Sequence, residues 1–244
     1  MNKVEICCGN FQDAYHAFLG GADRVELCSS LHMGGLTPTL GALKLVKQKT
    51  NLEVVCMLRP RGAGFCYTEA EFQELLVDGE LFLKQGADGI VFGFLTENFE
   101  IDITKTRLAV QLAKKYNKTA VFHRAFDCVK NPFEAIEILI ELGVDRILTS
   151  GQQPTAIEGT SLIQTLQTTY GTRIEILGGS GIKATNVQDF MKRTKLTQVH
   201  SSCRTIQKDM TTVGENVHYS YLSEACGYEV VSVELVKDLV QQVR

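Results

Sequence analysis

Two short segments near the start of the chain place a carboxylate and a thiol two residues apart. They are Glu5-Ile6-Cys7 and Glu26-Leu27-Cys28. Residues two apart in a strand point to the same face, so each glutamate shares a face with its cysteine. Because a buried carboxylate is costly without a partner, the glutamates belong either to a functional site or to a structural ion-pair network. The cations available for such a network are Arg59, Arg61 and Arg124.

A second group of polar residues is His123-Arg124-Ala125-Phe126-Asp127, which directly follows an apolar run. His123 can act as a general acid or base, with Asp127 or Glu5 orienting the ring. The alternative is a core histidine with satisfied hydrogen bonds, and for His200, inside another apolar run, that alternative is favoured. The residues predicted to be catalytic are Glu5, Glu26, Arg59, His123, Arg124 and Asp127.

Glycines follow the seventh strand-like run, in Gly178-Gly179-Ser180-Gly181-Ile182, and Ser201-Ser202 ends the eighth. Glycines let backbone N–H groups converge on an anion, and barrel proteins often bind phosphate after strands seven and eight. The sequence therefore predicts a phosphate or sulfate site. Its predicted residues are Arg61, Gly179, Ser180, Gly181 and Ser202.

The two cysteines of the repeated segments, Cys7 and Cys28, also suggest a metal site. Neighbouring strands lie about 4.8 Å apart, so we expect the two sulfurs at the same height on adjacent strands. Such a thiol pair suits Cu(I), which prefers soft ligands. The alternative is that both are small buried core residues, since the chain has no Cys-x-x-Cys segment or methionine-rich tract.

The elements that would position these residues repeat along the chain. Gly21-Ala22-Asp23, Gly86-Ala87-Asp88 and Gly143-Val144-Asp145 each follow a helical pattern and precede an apolar run, as expected for a helix-to-strand turn. Eight strand-like runs alternate with helical patterns, which predicts an α/β fold, a parallel eight-stranded (β/α)8 TIM barrel. The predicted strands are Val4–Cys7, Arg24–Cys28, Glu53–Leu58, Gly89–Phe92, Ala120–Arg124, Arg146–Thr149, Arg173–Leu177 and Gln198–Ser201.

Length and composition predict one cytoplasmic domain over residues 1–244, with a long irregular segment at about 203–230 before a closing helix at Val231–Val243. The 25 Lys and Arg against 28 Asp and Glu leave a net charge of −3, too balanced for a nucleic-acid or membrane-surface binder. No apolar run is long enough to span a membrane, and no signal peptide precedes the first strand. The eight scattered cysteines suggest free thiols in a reducing cytosol.

Several longer segments, taken together, resemble the CutC copper homeostasis family from about residue 3 to residue 204. They are Val-Glu-Ile-Cys at 4–7, Gly-Gly-Ala-Asp-Arg-Val-Glu-Leu-Cys-Ser at 20–29, Gly-Gly-Leu-Thr-Pro at 34–38, Arg-Pro-Arg-Gly at 59–62, Gly-Ala-Asp-Gly-Ile-Val-Phe-Gly at 86–93, Phe-His-Arg-Ala-Phe-Asp at 122–127 and Leu-Thr-Ser-Gly at 148–151. The resemblance implies a TIM barrel, a cytoplasmic homo-oligomer (dimer or tetramer) and copper binding by cysteines. The chain departs from the commoner family pattern at Ser180 and Ser201, which replace glycine, and after Cys203.

Two functions are therefore expected from the sequence. The resemblance favours a copper homeostasis protein that binds or carries copper. The many polar residues at predicted strand ends favour an enzyme acting on a small phosphorylated or carboxylated molecule. A barrel with a purely structural role in an oligomer is a third, less favoured interpretation.

Overall fold

Eight parallel strands close into a barrel in the computed structural model, which describes residues 2–222 and 226–244. Each strand pairs with the next along the chain, and β8 pairs with β1 to close the ring. This confirms the predicted (β/α)8 TIM barrel. The strands are β1 Lys3–Cys8, β2 Arg24–Leu27, β3 Glu53–Met57, β4 Gly89–Phe92, β5 Thr119–Phe122, β6 Arg146–Thr149, β7 Glu175–Gly178 and β8 Gln198–Ser201.

Eight helices alternate with these strands among the described residues. They are α1 Phe11–Leu19, α2 Leu40–Lys49, α3 Glu69–Lys84, α4 Ile103–Lys115, α5 Pro132–Leu142, α6 Thr160–Tyr170, α7 Val187–Thr194 and α8 Val233–Val243. Local sequence sets their starts: Thr68 and Glu71 form a capping box at α3, and Asn131 caps α5 ahead of Pro132. None of the helices in the described parts of the chain is both long and apolar enough to cross a membrane.

The recurring Gly-Ala-Asp turns join a helix to the second, fourth and sixth strands. Gly21, Gly86 and Gly143 have φ values of 87°, 92° and 84°, the left-handed conformation that glycine favours. The aspartates of these turns bond to the neighbouring strand. Each accepts a hydrogen bond from the backbone N–H of a residue on the preceding strand, over 2.7–2.9 Å: Asp23 from Val4, Asp88 from Val54 and Asp145 from Ala120.

The segment at 203–230, predicted to be irregular, contains an antiparallel pair of strands, β9 Arg204–Lys208 and β10 Gly227–Val231. All five residues of β9 are exposed, so the segment lacks the hydrophobic alternation that identifies a half-buried strand. The far end of β10 is held to the barrel, where Val231 N–H donates to Asp13 over 2.9 Å and the Val231 carbonyl oxygen lies 2.7 Å from His16 Nδ1.

The lumen of the barrel has a charged network at its amino-terminal end and an apolar layer on one side above it. Arg24 pairs with Glu5 and donates to Gln198 Oε1 over 2.9 Å. Arg146 and Gln198 both donate to Glu175, over 2.7 and 3.2 Å. An apolar layer of Val55, Met57, Val91 and Val121 lies in the lumen with Cys28. This network closes the lower lumen and positions Glu5 beneath the candidate site.

Candidate functional site

Glu5 joins the ion-pair network to a second group of side chains higher in the lumen. One carboxylate oxygen accepts from Arg24, and the other lies 2.7 Å from His200 Nδ1. Burial opposes ionisation of Glu5, but Arg24 and His200 outweigh it and hold the pKa of this carboxyl well below its usual range. Glu5 is therefore an ionised, structurally engaged carboxylate that orients His200.

Above Glu5, one oxygen of Glu26 contacts both cysteines predicted to bind metal. Glu26 Oε2 lies 3.4 Å from the Cys7 sulfur and 3.5 Å from the Cys28 sulfur. His200 Nε2 is 4.0 Å from the same oxygen. Donor atoms of Cys7, Glu26 and His200 all lie within 4.8 Å of one another. Cys28 and Glu26 are buried, whereas Cys7 is half-buried.

The pKa values in this group move in opposite directions. A hydrogen bond from Cys28, aided by His200, lowers the pKa of Cys7 to about 5, whereas that same bond and burial raise the pKa of Cys28. Burial and the neighbouring Cys7 raise the pKa of Glu26. Burial works against a charged His200, but Cys7, Glu5 and Glu26 outweigh it and raise its pKa. These shifts favour the thiolate form of Cys7 and the protonated form of His200, and they oppose ionisation of Glu26 and Cys28.

The expectation that Cys7 and Cys28 lie at the same height is wrong. The strand register pairs Cys7 with Glu26, and the Cys28 N–H donates to the Cys8 carbonyl, so Cys28 lies two residues further along the barrel. Two residues along a parallel strand correspond to roughly 6.6 Å. The stagger between strands that closes a barrel produces this offset. Despite this offset the two thiols still bond to each other, and both contact the same oxygen of Glu26.

A separate group forms where β3 and β5 end. The guanidinium of Arg59 lies 5.2 Å from the Phe65 ring centre, and the His123 ring lies 5.0 Å from Phe65 on centroids. His123 Nδ1 accepts from the Ala125 N–H over 3.0 Å. Burial, together with the charge of Arg59, lowers the pKa of His123 to about 3. His123 is therefore neutral at physiological pH.

Arg124 and Asp127 form a third group, on the rim beside β6. Arg124 bonds Asp127 over 2.8 Å and Ser150 Oγ over 2.8 Å. Asp127 also accepts from the N–H groups of Ser150 and Gln152. The predicted catalytic residues thus fall into three groups: Glu5 with Glu26, Arg59 with His123, and Arg124 with Asp127.

The predicted anion-site residues are partly engaged in other bonds. Gly179 N–H donates to Thr149 O over 3.0 Å, and Ser180 Oγ donates to Pro154 O over 2.9 Å. Gly181, after β7, has a φ of 74°, and Ser202, after β8, is half-buried. Arg61 follows β3, opposite β7 in the ring, where it pairs with Glu71 over 2.5 Å. Arg61 therefore lies away from the glycine loop, so the five residues do not form one site.

Two important residues were not identified from the sequence. Arg24, not the rim arginines, is the partner of Glu5, because Arg24 begins β2 in register with Glu5 and its side chain reaches the Glu5 carboxylate. His200 lies opposite Glu5 on β8, and only closure of the barrel brings the first and last strands together. The sequence did contain a signal for both residues. In β2, Arg24 is two residues before Glu26, and in β8, His200 is two residues after Gln198, so each pair shares one face of its strand.

Two cysteines, a histidine and a glutamate inside a (β/α)8 barrel can bind a soft metal ion or act as a nucleophilic site. The geometry therefore defines a barrel protein with a sulfur-containing candidate metal centre. Comparison with known proteins gives the family.

The chain belongs to the CutC family, whose model matches residues 2–205. A CutC family protein of Treponema denticola is 46% identical over 218 residues, covering 89% of this chain and 88% of that protein. The human copper homeostasis protein cutC homolog is 41% identical over 201 residues, covering 82% and 73%. The crystal structure of a copper homeostasis protein CutC from Streptococcus agalactiae superposes with a TM-score of 0.78 at 32% identity, covering 83% of this chain and 99% of that one.

Proposed function

We propose that this protein binds Cu(I) in the cytoplasm as part of copper homeostasis, with Cys7 and Cys28 as ligands. The observation that carries the proposal is the position of both sulfurs on one oxygen of Glu26, 3.4 and 3.5 Å away. Membership of a family whose relatives are named for copper homeostasis supports the metal.

The chemistry of the donor set fits Cu(I). Sulfur is the preferred ligand of this ion, and imidazole is a common additional ligand. A pKa lowered to about 5 favours the thiolate of Cys7, whereas Cys28 must lose its proton against a raised pKa for both thiolates to bind. His200 lies within reach as a third ligand, and it would have to release a proton against its raised pKa in order to bind. Glu5 orients its ring through Nδ1.

The first prediction concerns copper affinity. Anaerobic titration with Cu(I), under reducing conditions and against a competing chelator, should give one tight site in the parent protein. Cys7→Ser/Cys28→Ser should lose it because both soft ligands are gone. Cys226→Ser, which changes a half-buried cysteine of the β9–β10 segment, is the matched control and should bind as the parent does. Full affinity in the double variant would move the metal elsewhere, and no tight site in the parent would end the proposal.

A second candidate function is an enzyme acting on a small phosphorylated or carboxylated metabolite. Its catalytic residues would come from Glu5, Glu26, Arg59, His123, Arg124 and Asp127. The observation that favours it is the charge of Arg59, which is buried and forms no ion pair with any described residue. Phosphate bound near Gly181 and Ser202 would add support, and NMR of those two backbone amides during a phosphate titration tests that loop.

The other expectations also belong to this proposal. We propose a homo-oligomer, a dimer or tetramer, and partners limited to copper or a small anion, without nucleic acid or membrane. The family resemblance supports the oligomer, and the net charge of −3 supports the absence of a nucleic-acid partner.

A further inference from the structure

Arg59 is a buried cation without a counter-ion. Its side chain is 6% exposed, yet it forms no ion pair with the residues the structure describes. Nη1 donates to the carbonyl oxygens of Met33 and Gly35 over 2.9 and 3.2 Å, and Nη2 donates to that of Ala63 over 2.8 Å. Nε is buried and has no hydrogen-bond partner.

The other two buried arginines form ion pairs. Arg24 pairs with the carboxylates of Glu5 and Glu53, and Arg146 pairs with Glu175. Each also has an unbonded Nη1, but a carboxylate neutralises its charge. Burying a charge is costly unless it is paired. Among the described residues, Arg59 is therefore the buried arginine whose charge no carboxylate of the chain neutralises. A bound anion could supply the missing negative charge.

His123 offers a second unused donor beside Arg59. Its Nδ1 accepts the Ala125 N–H, so a neutral ring carries its proton on Nε2. That Nε2 is buried and has no hydrogen-bond partner. Both His123 and the guanidinium of Arg59 lie against the ring of Phe65. The buried hydroxyl of Tyr67 lies beside the Arg59 side chain.

The surrounding backbone leaves room for both side chains. A Cβ at Gly93 would lie 2.3 Å from His123 Cε1, and a Cβ at Gly34 would lie 2.8 Å from Arg59 Nη1. Any other residue at these positions would displace the donors. The loop that covers them, residues 61–66, contains Gly62 and Gly64, and a Cβ at Gly64 would meet nothing within 4 Å.

We propose that Arg59 Nε and His123 Nε2 form a binding site for one oxyanion, the carboxylate or phosphate group of a small molecule, under the 61–66 loop. An oxyanion would accept a hydrogen bond from each N–H and neutralise the guanidinium charge. The site is distinct from the predicted glycine loop after β7 and from the sulfur ligands. The proposed oxyanion site rests on the second candidate function only if the bound molecule is also a substrate. Binding of the oxyanion itself requires no reaction.

The test uses metal-free, full-length protein in chloride buffer, titrated separately with inorganic phosphate and with acetate. The readout is the ¹⁵N shift of His123 Nε2, assigned by its loss in His123→Asn, together with affinity from calorimetry. We expect a saturable shift. A saturable shift with phosphate alone identifies a phosphate-binding site. A saturable shift with acetate, alone or together with phosphate, identifies a site that accepts a carboxylate. No shift with either anion overturns the proposal.

Variants separate this site from general effects on the fold. Arg59→Gln should weaken the anion about tenfold or more because it removes a charge-assisted bond. His123→Asn should also weaken it, since asparagine keeps an acceptor for Ala125 N–H but cannot donate from the Nε2 position. Arg107→Gln, an exposed arginine on α4, is the control and should bind as the parent does. Unchanged affinity in both site variants overturns the proposal.

One further variant distinguishes failure of this proposal from failure of the copper proposal. Cys7→Ser/Cys28→Ser should keep its oxyanion affinity, because neither cysteine bonds Arg59 or His123. If Arg59→Gln does not fold, the parent titration and His123→Asn still decide the outcome. Loss of anion binding in the cysteine variant would contradict an independent site.

Discussion

At the level of single residues, two carboxyl groups of the site have pKa values shifted in opposite directions. Arg24 and His200 lower the pKa of Glu5, whereas burial and the neighbouring Cys7 raise the pKa of Glu26. The sequence identified both glutamates and both cysteines from the repeated Glu-x-Cys spacing. It did not assign Arg24 or His200 to Glu5, because strand register and ring closure depend on the whole barrel.

His123 leads to the second prediction, a pH effect on stability. Its ordinary pKa is 6.5, and burial with the Arg59 charge lowers it to about 3 in the folded protein. Below its ordinary value the unfolded chain takes up a proton that the folded protein excludes. The histidine's contribution to stability is therefore complete above pH 6.5 and is lost progressively as the pH falls through about 3.

The measurement is the free energy of unfolding in urea at several pH values, without added oxyanions. Between pH ~6 and ~4 the parent should lose up to about 1.4 kcal/mol per pH unit through this histidine. His123→Asn should lack that contribution, so its pH dependence should be flatter. Parallel curves for the two proteins would show that His123 is protonated or exposed in the folded state.

At the level of elements, the repeated aspartates tie each even-numbered strand from β2 to β6 to the strand before it. Asp88 shows the arrangement: its N–H donates to the Val54 carbonyl, and its side chain accepts from the Val54 N–H. The repeat itself predicted the turns and the parallel barrel. The distant acceptor role could not be predicted, because local Asx bonding accounts equally well for an aspartate at a turn.

The third prediction tests the pair of hydrogen bonds between Asp88 and Val54. Asp88→Ala should lower the free energy of unfolding by about 1–3 kcal/mol, since it leaves the Val54 N–H without its acceptor. Asp88→Asn keeps one acceptor oxygen and should lose less. Asp238→Ala, at an exposed position on α8, is the matched control. Urea unfolding measures all three, and equal stabilities for Asp88→Ala and the control would mean that this pair of hydrogen bonds does not stabilise the protein.

The β9–β10 pair shows where sequence patterns stop being informative. Helices and barrel strands could be predicted because each must bury one face, which imposes a period on the apolar residues. β9 buries no residue, so its sequence carries no such period. Its pairing with β10 is specified by backbone bonds between segments about twenty residues apart, and no local signal marks it.

At the level of the whole molecule, α8 closes the ring of helices and packs on the first elements of the chain. Val236, Leu239, Val240 and Val243 are buried. A Cβ at Gly20 would lie 2.5 Å from Val236, so α1 ends at a close contact with α8. This arrangement supports the expectation that residues 1–244 form a single domain, which stays a prediction.

The fourth prediction tests whether that domain unfolds as one unit. Leu239→Ala should destabilise the protein by about 2–5 kcal/mol through loss of a buried side chain. If α8 and the barrel are cooperative, amide hydrogen exchange should speed up in β5 as well as in α8. Leu235→Ala removes a side chain that is 43% exposed on the same helix and should have little effect. Faster exchange confined to α8 would mean that the helix unfolds alone.

The charged network at the amino-terminal end of the lumen closes that end of the barrel. Arg24, Glu5 and Arg146 are all 4% exposed or less, and they fill the space beneath Cys7 and His200. An ion held at the sulfurs therefore has to enter and leave through the same opening, beside the half-buried Cys7. To take the ion, another molecule would have to approach from the carboxyl-terminal end of the barrel and replace the protein's ligands one at a time. The ion could not pass through the barrel from one end to the other.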